Sequence, residues 1–289
     1  MEMPETLRDS LLFSGARQDD LHPTMTVAAG GWQLMRQSAC ASIGRGIWRS
    51  GLKAIGGMTY NEVGAGAGDR QGVEGAATME RELADLGKRL EAGERLVVAG
   101  LGDSLTAGWL VRRGFFERFC DGLQARFPRA RIERVLAGVP GDTAADGLAR
   151  VGGVLRARPQ LVVVQFGLND CFCGVHPHEF QQTVDALVER LQGAGAAVIL
   201  ATSVPLAEPR AQDVVSRIYA ALGEVGRRRH VPVARLDLFW LSHVQAAPHA
   251  ARGLFQADGV HPTDEGHQLL AEGLLGLLAA PEERTGDQQ

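Results

Sequence analysis

The sequence predicts an α/β domain built on a parallel five-stranded sheet. Three observations carry that expectation. Five short runs rich in Val, Leu and Ile recur between residues 95 and 236, helical patterns separate them, and polar glycine-bearing segments follow the first three. Near-continuous apolar strands alternating with helices indicate a parallel sheet covered on both faces. Right-handed crossovers then bring every strand's C-terminal end to one edge, where open α/β sheets place their ligand crevices.

The 289-residue chain changes character near residue 75. Residues 1–75 are rich in Gly, Ala, Ser and Met, with apolar residues at loosely helical spacing: Leu7, Leu11 and Leu12, then Trp32, Leu34, Met35, Ile43, Ile47, Trp48 and Leu52. They predict a mostly helical or partly disordered N-terminal extension, weakened as helix by its glycines. Such a segment can act as a homo-oligomerisation arm, as a lid over the crevice or as a poorly ordered tail. Gly64 to Asp69 reads as a flexible connection, and residues 76–94 as a connecting helix with Glu80 to Leu90 at its centre. The main domain follows over residues 95–281, and residues 282–289 read as a disordered tail. Its strands are expected at 95–101, 131–136, 161–166, 197–203 and 232–236. Its helices are expected at 114–126, 143–157, 178–192 and 210–229, with a final one at about 264–279.

Composition narrows the function. With 45% apolar and 22% charged residues the chain is an ordinary soluble protein, and a net charge of −4 gives nucleic acid or an anionic membrane no reason to bind. The run Arg227-Arg228-Arg229 reads as a solvated helix end. Met1 to Glu5 carries no basic region leading into an apolar stretch, and no run approaches the ~18 apolar residues of a membrane span. Of the four cysteines, Cys40, Cys120, Cys171 and Cys173, the last two are too close in sequence to staple distant segments. A reduced cytoplasmic setting fits them.

The chemistry concentrates in four places. Ser104 follows Val97-Val-Ala-Gly-Leu101 and stands where a nucleophile would face the crevice, with Asp103 ordering the turn and Gly102 permitting it. Asp258 and His261 are three residues apart, so one loop can turn both inward and aim the imidazole at Ser104. In Gly138 to Thr143, Gly141 offers a backbone N–H to a developing oxyanion. Asn169 directly follows the third strand and its Gly167, and offers a side-chain amide for the same purpose. Each motif also has an ordinary structural reading: a serine helix cap, a capping Asp beside a surface His, a turn capped by Asp142 or Thr143, a turn asparagine. Trp109, Phe115 and Phe116 sit at helical spacing that suits core packing. Trp109, together with Phe172, also supplies candidate walls for a substrate crevice.

Other motifs fall short. Gly100-Leu-Gly102 lacks the next glycine of a dinucleotide site, since Leu105 stands there. Cys171, Cys173, His176 and His178 match no common zinc spacing, so no metal is expected, and with Phe172 and Val175 they read as a loop lining an acyl pocket. His243, His249 and His267 are isolated and read as surface or helix residues.

The four blocks Gly102-Asp-Ser-Leu-Thr106, Ala137-Gly-Val-Pro-Gly141-Asp-Thr143, Gly167-Leu-Asn169-Asp170 and Asp258-Gly-Val-His261-Pro262, in this order, resemble those of the SGNH hydrolases, also called the GDSL family. The resemblance spans roughly residues 95–280. It implies a flavodoxin-like three-layer α/β/α sandwich. It also implies hydrolysis of esters or thioesters through an acyl-enzyme, on small acyl esters or lysophospholipid-like substrates, with no cofactor. It assigns Ser104 as nucleophile, His261 as base and Asp258 as the orienting acid, with an oxyanion hole of the Ser104 and Gly141 N–H groups and the Asn169 amide. Leu136 departs from the pattern, standing where some members have an Asn behind the first layer of the site. The competing class is a ligand-binding or interaction protein that has kept the fold without turnover, against which the complete residue set argues.

Overall fold

The computed structural model describes residues 84–206 and 209–278. The helices expected within residues 1–75, the connection at 64–69 and the tail at 282–289 lie outside the described residues.

Residues 84–91 form helix α1, which buries Leu86 and Leu90 and leads into the sheet. The strands are β1 (Arg95–Gly102), β2 (Arg131–Gly138), β3 (Leu161–Gln165), β4 (Ala197–Ala201) and β5 (Val233–Ala234), all parallel, in the order β2-β1-β3-β4-β5. That is the order of flavodoxin-like doubly wound sheets, whose switch point lies between β1 and β3. β3 is buried at every position and β1 at all but Arg95, as central parallel strands require. β2 is an edge strand and half exposed, and it carries charge: Glu133 pairs with both Arg95 and Arg131. Charged side chains on an edge discourage pairing with another chain.

The register places three loops side by side. Gly102 is opposite Gly138 on one flank and Gln165 on the other, so β1, β2 and β3 end in one row. The helices are α2 (Ser104–Ala107), α3 (Phe115–Arg126), α4 (Ala144–Leu155), α5 (Leu168–Phe172), α6 (Pro177–Gly193), α7 (Pro209–Arg229), α8 (Leu236–Ala246) and α9 (Asp264–Leu277). They pack as two groups, α3 with α9 and α8, and α4 with α6 and α7, which makes a three-layer α/β/α sandwich. Phe115, Phe116 and Phe119 of α3 are fully buried. No helix among the described residues is long and apolar enough to cross a membrane.

Two local readings are corrected. The fifth strand is two residues long rather than five, and β4 stops at Ala201. The Thr202 hydroxyl donates to Asp237 Oδ1 at 2.7 Å and accepts the Asp237 N–H at 3.1 Å. These bonds join the end of β4 to the first turn of α8, a helix the periodicity does not predict. His267, read as a surface or helix residue, lies on helix α9, where it is buried. Its Nδ1 accepts the Phe115 N–H at 3.1 Å, an N–H at the start of α3 that no carbonyl within the helix can take.

Burial, with Arg118 and His261 nearby, pushes the His267 imidazole down to about 3. The unfolded chain therefore takes up a proton near pH 6.5 that the folded chain refuses. The stability tied to this neutral ring is full above pH 6.5 and is lost as pH falls toward 3. Urea unfolding of the wild type should weaken across that window. His267→Gln, which keeps an acceptor but cannot titrate, should start less stable and lose less over the same interval.

Candidate active site

Ser104 is the first residue of α2, immediately beyond β1. The cap of that helix is Asp103, whose Oδ1 accepts the Leu105 N–H at 2.9 Å, so the serine hydroxyl is not spent on capping. Gly102 answers a spatial demand rather than the turn conformation expected of it. A Cβ there would lie 2.1 Å from Thr106 Oγ1 and 2.6 Å from the Gln165 carbonyl oxygen. At Gly138 a Cβ would lie 2.3 Å from the Ala107 nitrogen. With both side chains missing, α2 rests directly on the ends of β1 and β2.

Ser104 Oγ lies 2.9 Å from His261 Nε2, and His261 Nδ1 lies 2.6 Å from Asp258 Oδ2. Asp258 Oδ1 accepts the N–H groups of Val260 and His261, each at 2.9 Å. Burial raises the Asp258 carboxyl, but these two bonds and the imidazole outweigh it and hold the group below the usual carboxylate range. An ionised carboxylate only accepts hydrogen bonds. It therefore fixes the proton of a neutral ring on Nδ1 and leaves the Nε2 lone pair facing the Ser104 hydroxyl. Gln256 steadies this loop from outside: its N–H donates to the His261 carbonyl at 2.8 Å, and its side-chain amide to the carbonyls of Pro262 at 2.8 Å and Trp109 at 3.1 Å.

The candidate oxyanion donors gather at the neighbouring strand ends. The Ser104 N–H is the first of its helix, so no intrahelical carbonyl takes it. Gly141 adopts φ +88°, a left-handed conformation suited to glycine. Asn169 lies on the short helix α5, and its Nδ2 donates to the Asp142 carbonyl at 2.9 Å. One amide hydrogen is thereby fixed and the other remains available. Thr143 caps α4 in a reciprocal box with Asp146. The Asp170 carboxylate accepts the Ala144 N–H at 3.0 Å and ties α5 to α4, while burial pushes its carboxyl up to about 6.

The structure thus joins Ser104, His261 and Asp258 in one hydrogen-bonded chain and hinges Asn169 on the residue after Gly141. Phe115 and Phe116 belong to the core, whereas Trp109 is 40% exposed and Phe172 is partly buried against the core. Leu136, expected behind the site's first layer, is exposed on β2. His176 Nδ1 accepts the His178 N–H and caps α6. Two residues escaped the sequence reading. Gln165 is the last residue of β3 and Arg150 lies in the preceding helix, α4, and no motif spacing marks either.

Residues 101–269 match the GDSL-like lipase/acylhydrolase family. The chain belongs to that family. As an SGNH hydrolase it is a carboxylic ester hydrolase. It is 33% identical over 186 residues to Esterase TesA of Pseudomonas aeruginosa, an alignment covering 63% of this chain and 83% of that protein. To the Thioesterase 1/protease 1/lysophospholipase L1 of Escherichia coli K12 it is 27% identical, with 66% of this chain and 86% of the relative covered. A catalytic mutant of the acetylxylan esterase Axe2 from Geobacillus stearothermophilus shares the fold, with a TM-score of 0.58, 20% identity, and 64% of this chain and 94% of that one covered.

In this SGNH hydrolase the close seat of α2 should be sensitive to a single methyl group. Gly138→Ala should cost about 1–3 kcal/mol of stability by overpacking. It should lower esterase activity as well, because the clash falls on the helix that carries Ser104. Urea titration and p-nitrophenyl acetate turnover measure the two effects.

Proposed function

We propose that Ser104 is the nucleophile of this ester hydrolase, His261 its general base and acid, and Asp258 the group that orients and stabilises the imidazole. The observation that carries the reading is the unbroken chain from Ser104 Oγ to His261 at 2.9 Å and on to Asp258 at 2.6 Å. Ser104 Oγ attacks the acyl carbonyl carbon, and its proton passes to Nε2. The oxyanion of the tetrahedral intermediate is received by the Ser104 and Gly141 N–H groups and by the Asn169 amide. The bond to the leaving oxygen or sulfur breaks, and Nε2 returns its proton to that atom. Water then attacks the acyl-serine, gives a proton to Nε2 and releases the acid, after which Ser104 is reprotonated.

The substrate is a small acyl ester, a thioester or a lysophospholipid-like molecule. Apolar side chains around the nucleophile support an acyl chain. Trp109 is 40% exposed, Leu110 72% and Leu136 46%, and these are the exposed large apolar residues among those described. The Trp109 N–H donates to the Ser104 carbonyl at 3.0 Å, so this residue starts at the nucleophile itself. Phe172, on α5 with Asn169, is the second proposed wall. The names of the esterase and thioesterase/lysophospholipase relatives agree with this substrate class. The buried Cys120 thiol suits a cytoplasmic enzyme, and residues 1–75, with Trp32, Met35 and Trp48, are the segment through which copies would associate.

A fluorophosphonate probe should label the wild type, and Ser104→Ala should abolish both labelling and turnover. Along a series of p-nitrophenyl esters, kcat/KM should rise by up to about fourfold for each methylene the walls bury, then level off. Trp109→Ser should flatten that rise and spare the acetate. A folded protein that neither labels nor turns over would be a binding protein on this scaffold instead.

A further inference from the structure

Arg150 on α4 makes three side-chain hydrogen bonds to three different segments. Its Nε donates to Asp142 Oδ2 at 2.6 Å, its Nη1 to the Ala137 carbonyl at 2.8 Å and its Nη2 to the Gly102 carbonyl at 2.9 Å. The Asp142 side chain is 8% exposed and that of Arg150 27%, so the pair works largely out of water. Each acceptor lies in a segment that carries one of the proposed oxyanion donors. Gly102 is two residues before the Ser104 N–H. Ala137 opens the glycine block, and Asp142 directly follows Gly141. Asp142 also passes the constraint on, because its own carbonyl holds the Asn169 amide at 2.9 Å. The Gly102 carbonyl additionally accepts the Val139 N–H at 3.0 Å, so Arg150 reinforces an existing joint between β1 and the glycine block.

We propose that Arg150 is a positioning residue for the ester hydrolysis, its guanidinium setting the separation of the three oxyanion donors without touching substrate. The inference rests on the assignment of those donors above. A planar guanidinium can donate in several fixed in-plane directions, whereas a lysine ammonium is a point charge on a flexible stem. The helix that carries Arg150 is held by other means: the Thr143–Asp146 box, the Asp170 carboxylate on the Ala144 N–H, and Gly147 seated against the Phe166 ring. Loss of Arg150 therefore slackens the donors more than it unfolds α4. Donors aimed at developing charge act in the transition state, so the effect belongs in kcat rather than KM.

The test compares full-length wild type, Ser104→Ala, Arg150→Ala and Arg150→Lys on p-nitrophenyl acetate, together with inhibition by phenylboronic acid, which forms a tetrahedral adduct on the serine. Arg150→Ala should lower kcat by about 10²-fold, the size of losing one oxyanion donor, and weaken the boronate in parallel, with KM within about threefold. Millimolar guanidinium should restore part of the Arg150→Ala rate and leave the wild type unchanged. Arg150→Lys should fold and lose at least about tenfold in kcat, since its single charge reproduces only the Asp142 contact. A kcat within threefold of wild type in either variant overturns the proposal. So does a loss shared by kcat, KM and melting temperature with no guanidinium rescue, which would mark a packing role only. If Arg150→Ala does not fold, Arg150→Lys decides. Wild-type turnover that survives Ser104→Ala would instead refute the donor assignment, and the proposal with it.

Discussion

Gln165, at the end of β3, carries the hydrogen bonds on which the support of Ser104 depends. Its amide nitrogen donates to Asp103 Oδ2 at 3.1 Å and to Ser203 Oγ at 2.6 Å, and its amide oxygen accepts from Thr106 Oγ1 at 2.8 Å. One side chain thus links the cap and interior of α2 to the segment beyond β4. All four residues are about 1% exposed. Buried polar groups of this kind are tolerable only when satisfied, because an unpaired one forfeits its full solvation. The network is therefore all-or-nothing, and it fixes the floor on which Ser104 stands.

Two aspartates close to the serine show how surroundings divide their work. Asp103, next to Ser104 in sequence, is pushed up to about 7 by burial, even though the Leu105 N–H and Gln165 pull it down. Asp258 stands in a more open loop, where backbone N–H groups and the imidazole outweigh its burial and hold it low. The partner of a catalytic histidine must be ionised to accept its Nδ1–H and to stabilise the imidazolium that forms. Asp258 meets that condition at neutral pH with a margin that Asp103 lacks. Asp103 serves instead as a cap and as a member of the Gln165 network.

The sequence made some of this legible and hid the rest for identifiable reasons. β1, β3 and β4 read directly because central parallel strands are apolar on both faces. The four chemical blocks read because each places its functional residue at a strand end or in a short loop. α8 was hidden because Leu236, Leu238, Phe239, Trp240, Leu241 and Val244 mark no single face at helical spacing. The short β5 was hidden because a threonine and an aspartate 35 residues apart decide where that strand gives way to helix. Gln165, Arg150 and His267 were hidden for a common reason. Each acts through partners distant in the chain, and side-chain spacing encodes only local neighbours. The need for Gly102 was visible, but its cause, the approach of Thr106, is a tertiary contact.

The edge is consequently divided between a stiff interior and an open rim. Within it, Gln165 links α2 to the segment beyond β4, Arg150 ties Gly102, Ala137 and Asp142 together, and Asp170 joins α5 to α4. Across from these, Trp109, Leu110 and Leu136 present apolar surface to solvent, and Leu110 holds φ +60°, an unfavourable backbone state for a leucine. Strain in an exposed apolar residue persists only where its surroundings impose it. Here Gly108 closes α2 in a left-handed conformation, and a Cβ on it would lie 2.7 Å from the Gly114 nitrogen. The turn that carries Trp109 and Leu110 is therefore clamped at its base to the start of α3. The proposed reaction geometry thus rests on buried polar ties and missing methyl groups, and the proposed acyl-chain contacts on side chains at the exposed rim.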